Sequence, residues 1–133
     1  MDALAGAGAL RSSAPDMLTY MEAYLHPDKL SPAAGKPRRG KTLPAALRQT
    51  LKLHDEPKAG MWQALAWGYK ANDGSYFHDG STGGFTSCAL FNPKGDYGVI
   101  ALMNVEANYG TLAESLCWHI SQRLEGKTAL SWK

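Results

Sequence analysis

Apolar residues recur at helical spacing in the first part of the chain and at strand spacing from Met61 onward, so a helical part precedes a strand-rich part. Ser13-Ala14-Pro15-Asp16 predicts a helix start. Serine caps the free N–H groups, proline fits the first turn, and the acid sits at the positive pole. Behind it Met17, Leu18, Met21, Tyr24 and Leu25 share one face, and Pro27 ends the helix near His26. Residues 28–41, with Pro32, Gly35, Pro37 and Gly40, read as an irregular loop. Thr42-Leu43-Pro44 opens a shorter helix that runs through Leu47 and Leu51 to Leu53, and Pro57 and Gly60 close it off.

From Met61 to Tyr69 the residues Trp62, Ala64, Ala66 and Gly68 alternate with Gln63, Leu65 and Trp67, which predicts one strand covered on both faces. Asn72-Asp73-Gly74 predicts a hairpin turn, because Asp-Gly supplies the positive φ values that a tight turn needs. Tyr76 to His78 resumes a strand, His78 to Gly84 reads as an exposed polar corner, and Phe85 to Phe91 reads as the next strand. Asn92 to Asp96 is a turn, and Tyr97 to Met103, with Val99, Ile100, Ala101 and Leu102 in succession, predicts a buried central strand. Thr111 opens a final helix in which Leu112, Leu116, Ile120 and Leu124 repeat every fourth residue, and Gly126 stops it. The sum is an α+β fold: an antiparallel sheet of three to five strands, with the last helix on one face and the helical first part on the other.

A chain of 133 residues supports a single domain, 1–133, but not two of ordinary size. Its composition, 44% hydrophobic and 20% charged, is that of a globular protein, and a net charge of +2 gives no reason to expect a nucleic-acid partner. The basic cluster Lys36 to Lys41 sits among prolines and glycines and reads as a solvated loop. No apolar run approaches the ~20 residues of a membrane span, and Met1 to Gly6 lacks the pattern of a signal peptide. Localisation therefore stays open.

Cys88 and Cys117 lack metal-ligand spacing and read as buried free thiols, with a strand-to-helix disulfide as the alternative. The four histidines, His26, His54, His78 and His119, show no motif such as HExxH, so neither a metal nor any other cofactor is expected. The tryptophans at 62, 67, 118 and 132 read as core and edge residues. A Ser-His pairing within the chain, using Ser81 or Ser87 with His78, lacks a nucleophile elbow.

The stretch His78-Asp79-Gly80 followed by Ser81-Thr82-Gly83-Gly84-Phe85 resembles the third active-site motif of the penicillin-recognising serine hydrolases, which include class C β-lactamases, DD-peptidases and related esterases. In that family a Lys-Thr-Gly or His-x-Gly triplet on an inner strand precedes a Gly-Gly-aromatic turn. Ala9 to Met17 is similar to the segment leading into the helix after the family's second motif. Ala66-Trp67-Gly68-Tyr69 and the hairpin Phe91 to Val99 have counterparts there too. The likeness covers the C-terminal portion of such a hydrolase.

By that resemblance His78 takes the place of the motif's Lys or His, which binds a substrate carboxylate or helps move a proton. Gly80 lets substrate lie close to the strand, and the Ser81 backbone N–H is one of two oxyanion donors. Thr82 and, more weakly, Asn104 would border the substrate. Asp79 departs from the family's usual Thr, and its charge would repel the carboxylate of a β-lactam, which favours an ester or another amide in the complete protein.

The family's Ser-x-x-Lys and Tyr-x-Asn (or Ser-x-Asn) motifs do not occur in this sequence. The resemblance therefore implies a fragment, cut from a longer protein or encoded by a partial gene starting at Met1, that lacks the nucleophile and is inactive alone. Its expected partner is the missing N-terminal half or a second copy of itself, joined across an unpaired strand edge. Complete members of the family are often periplasmic or secreted. The residues also leave open a self-standing, non-catalytic binding or oligomerisation module with the same fold.

Overall fold

The structure, a computed structural model, describes residues 8–30, 42–58, 60–105 and 111–128. The basic cluster Lys36 to Lys41 and Trp132 lie outside the described residues. Helix α1 (Ala14–Leu25) is followed by a 3-10 turn (Pro27–Lys29) and helix α2 (Leu43–Thr50). Six strands come next: β1 (Asp55–Lys58), β2 (Met61–Gln63), β3 (Gly68–Lys70), β4 (Ser75–Thr82), β5 (Phe85–Asn92) and β6 (Tyr97–Met103). Helix α3 (Thr111–Leu124) ends the described fold. The strands form one antiparallel sheet in chain order, so the architecture is the expected α+β arrangement.

Helix α1 starts where its sequence says it should. The Ser13 hydroxyl accepts from the Asp16 N–H at 3.3 Å and donates to the Asp16 carboxylate at 2.7 Å. At the end of α3 Gly126 adopts φ +71°, and the N–H groups of Gly126 and Lys127 return to the carbonyls of Arg123 and Gln122. This is the Schellman closure that a glycine at that position permits.

Alternation along β5 divides the core in two. Ala89 and Phe91 face α1 and pack with Met21, Tyr24, Leu47 and Trp67. Cys88 and Leu90 face α3 and pack with Val99, Ala101, Ala113 and Cys117. Phe91 is the hub of the first cluster: its ring lies 5.0 Å from Trp67, 5.2 Å from Tyr24 and 5.3 Å from Tyr76. Burying side chains of this size contributes about 1.5–3 kcal/mol each. The helical first part and the last helix thus cover opposite faces, as the sequence leads one to expect.

Four expectations change. Met61 to Tyr69 is not one strand but the hairpin β2–β3, reversing where the Ala64 N–H donates to the Trp67 carbonyl at 2.8 Å. Ala64 and Trp67 are buried in the reversal itself, so their apolar pattern mimics a two-faced strand. Asp55–Lys58 pairs with β2 and adds a short edge strand beyond the expected three to five. His78 to Thr82 continues β4, and only Gly83 and Gly84 form the corner. β6 lies at the end of the strand order, and the buried central strand is β5. An apolar run reports coverage above and below, which β6 receives from both helices, and not lateral position.

Candidate functional site

The Gly83-Gly84 turn organises the site. Both glycines have positive φ, +27° and +90°, as a two-residue hairpin turn demands. The turn closes Thr82 against Phe85, and pairing runs on through Ser81↔Thr86, Gly80↔Ser87, Asp79↔Cys88 and His78↔Ala89. In such a hairpin the closing pair is hydrogen bonded, and bonded and non-bonded pairs then alternate. The backbone groups of His78 and Gly80 therefore face β5. Those of Asp79 and Ser81 face the other side.

That other side is open. β3 ends its pairing with β4 at Gly68↔Phe77, so among the described residues nothing pairs with β4 from His78 to Thr82. β3 begins at Gly68 because the chain reverses from β2 at Ala64 to Trp67, and a Cβ at Gly68 would meet the Phe77 ring at 2.8 Å. The result is a five-residue strand edge beside a tight turn, with the N–H and C=O of Ser81 directed outward.

Side chains alternate across the same strand. His78 and Gly80 lie on the face that carries Ser87, Ala89 and α1, whereas Asp79 and Ser81 lie on the face that carries Cys88 and α3. The Ser81 hydroxyl and the His78 ring are thus on opposite faces and do not meet. Ser87, on β5, is a hydroxyl on the His78 face and lies diagonal to His78 across the β4–β5 ladder. His78, Ser81 and Thr82 are exposed, and Asp79 and Gly80 are half-buried. Asn104 follows β6 at the turn end of the sheet, two strand spacings (about 10 Å) across from β4. The structure brings His78, Asp79, Gly80, Ser81 and Thr82 onto one short edge and leaves Asn104 on the rim.

At Gly80 the fold itself makes no demand for glycine. A Cβ there would meet only the Ser87 hydroxyl, at 3.5 Å, an ordinary contact. By contrast Gly8 lies tight against Thr82, where a Cβ would meet the threonine methyl at 2.4 Å, so the approach to α1 passes this edge. The sequence reading named Ser87 as a possible partner of His78 but overlooked the Gly8 contact, which carries no local motif and is revealed only by chain packing.

Behind the edge, Cys88 and Cys117 are fully buried free thiols, and the Cys117 thiol donates to the Cys88 carbonyl at 3.3 Å. The neighbouring Cys117 thiol, then burial, hold the Cys88 thiol well above its ordinary range. That makes Cys88 a packing residue, not a nucleophile.

The opposite end of the sheet holds a concavity of about 460 Å³ bordered by Tyr69, Asp73, Asn92, Lys94, Glu125 and Lys127. Asn92, only 2% exposed, uses its amide fully there. Its Oδ1 accepts from the Lys94 and Gly95 N–H groups at 2.9 Å, and its Nδ2 donates to the Asp73 carbonyl at 2.8 Å. The Tyr97 hydroxyl donates to Glu125 at 2.7 Å, so this end is a satisfied joint between two turns and α3. Among the described residues no three His, Cys, Asp or Glu side chains converge, and no helix is long and apolar enough to cross a membrane.

No curated protein matches the chain. The family model described as Beta-lactamase matches residues 1–114 and so spans the open edge of β4. The chain belongs to the β-lactamase family.

Proposed function

We propose that this chain is the C-terminal fragment of a β-lactamase-like serine hydrolase and supplies one wall of an acyl-transfer site. The nucleophile and its base come from a separate segment bearing the Ser-x-x-Lys and Tyr-x-Asn motifs, and the fragment is inactive without it. The carrying observation is the open edge of β4: the outward N–H of Ser81 stands beside a turn, next to a glycine that the fold does not require.

The roles follow from chemistry. The Ser81 N–H donates to the oxyanion that forms when a carbonyl is attacked, where a fixed donor is worth about 10²–10³ in rate. Gly80 keeps the strand low enough for substrate to lie along it. His78, exposed at the head of the edge, meets the substrate's anionic group or relays a proton. Asp79 disfavours an anionic β-lactam, so a neutral ester or amide is the preferred substrate class. Thr82 borders the leaving-group side, and Asn104 marks the far rim.

Mixing the chain with a separately expressed N-terminal segment of the family tests the reading with a chromogenic ester and a chromogenic cephalosporin. Hydrolysis only in the mixture, faster on the ester, supports it. Association without hydrolysis of either substrate contradicts the chemistry, and no association leaves a self-standing module as the better description.

A further inference from the structure

The chain has two cysteines, 29 positions apart, and the fold brings them together in the core beneath α3. Cys88 lies on β5 opposite Asp79 of β4, and Cys117 lies on the inner face of α3. Both are 0% exposed and share one cluster with Leu90, Val99, Ala101 and Ala113. The Cys117 Sγ approaches the Cys88 carbonyl oxygen to 3.3 Å, and the two thiols are neighbours. Among the described residues no third ligand joins them, so they do not form a metal site.

The packing that surrounds them is built for a short crossing. Ala113, Cys117 and Ser121 form the buried line of α3, and side chains this small let the helix settle close to β5. A disulfide joins Cα atoms about 4.4–6.8 Å apart, a span that a bulky residue on this line would hold open. A sulfur already touching its partner's main chain reaches the partner's sulfur by side-chain rotation.

We propose that Cys88 and Cys117 close a disulfide between β5 and α3 when the chain folds in an oxidising medium, fastening the last helix behind the β4 edge. This bond does not depend on the acyl-transfer reading. Two thiols lose two protons and two electrons to form one S–S bond. Oxidised glutathione accepts them, by way of a mixed disulfide, and leaves as two molecules of the reduced thiol. With α3 seated, no oxidant reaches either sulfur, and the neighbouring thiol and burial keep Cys88 protonated. The bond therefore closes as α3 docks, and once closed it is equally shielded from reductant. It records the medium in which the chain folded.

The full chain, unfolded in guanidinium with reductant and then refolded by dilution, tests this directly. One sample refolds with reduced glutathione alone, the other with a mixture of reduced and oxidised glutathione. The second is expected to be a monomer lighter by two hydrogens that takes no iodoacetamide in guanidinium. The first is expected to keep its mass and take two labels. A cross-link between residues this far apart restricts the unfolded chain, so the oxidised sample is expected to melt about 10 °C higher. Cys117→Ala, where it folds, is expected to give the same melting temperature in both media, and the two wild-type samples decide the matter without it.

Two labels after oxidative refolding overturn the proposal. So do glutathione held on the separate cysteines, a disulfide between chains, or an internal disulfide that leaves the melting temperature unchanged or lower.

Discussion

Ser81 is where backbone geometry and chemistry meet, because the group proposed to act is its N–H and not its hydroxyl. Two substitutions separate them. Ser81→Ala keeps the donor and is expected to leave the reconstituted hydrolysis within a few-fold of wild type. Ser81→Pro removes it and is expected to lower the rate by about 10²–10³. Because that N–H faces away from β5, the proline costs the fold no ladder bond and sits on an open edge, where proline is tolerated. Equal loss of activity in both variants, or unfolding of the proline variant in a thermal melt, would contradict the assignment.

Cys88 makes the complementary point. Its thiol is buried and shifted upward by Cys117 and by burial, so native protein is expected to resist iodoacetamide at mildly alkaline pH, and protein in guanidinium is expected to take two labels. A thiol raised by folding stays protonated in the native state. The stability it contributes is complete below the ordinary cysteine pKa, about 8.5, and declines as pH rises past it.

Among the elements, the sequence is most legible where local chemistry decides. The Ser13 cap, the Asp73-Gly74 and Gly83-Gly84 turns and the Gly126 stop lie where their residues place them, because each satisfies a backbone demand within a few positions. It is least legible where distant contacts decide. The stripe Leu112, Leu116, Ile120 and Leu124 suggests the inner face of α3, yet Ala113, Cys117 and Ser121 are the buried line, and Leu112 and Leu124 are exposed. Small residues let the helix approach β5 closely, and size matching of that kind leaves no periodic apolar signal. The site divides in the same way: its residues form one continuous motif, whereas the open edge that exposes them follows from β3 beginning only at Gly68.

Asn92 carries the same lesson, because a polar residue between strand and turn becomes the buried joint of both turns and α3. Asn92→Ala is expected to destabilise the fold by about 2 kcal/mol, by losing these bonds and leaving their partners unpaired. A denaturant midpoint unchanged from wild type would show that the joint contributes nothing.

For the molecule as a whole, two cores share one sheet, and titrating groups hold α3 to one end of it. Lys127, and then the Tyr97 hydroxyl, hold the Glu125 carboxyl below the usual carboxylate range, while burial opposes them. A carboxyl lowered by folding stabilises the native state above its unfolded pKa, about 4.3, and that contribution fades as pH falls through the folded value. Glu125→Gln is expected to flatten this acid limb of a melting-temperature profile. A limb as steep as in wild type would remove Glu125 from the account.

The central claim is that the chain brings an oxyanion wall and no nucleophile. Intact-mass spectrometry of the folded chain alone, after exposure to a fluorophosphonate and to a penicillin, tests it most directly. The account predicts an unmodified mass with both reagents. A stoichiometric adduct on a single residue would contradict it and make the chain an enzyme in its own right.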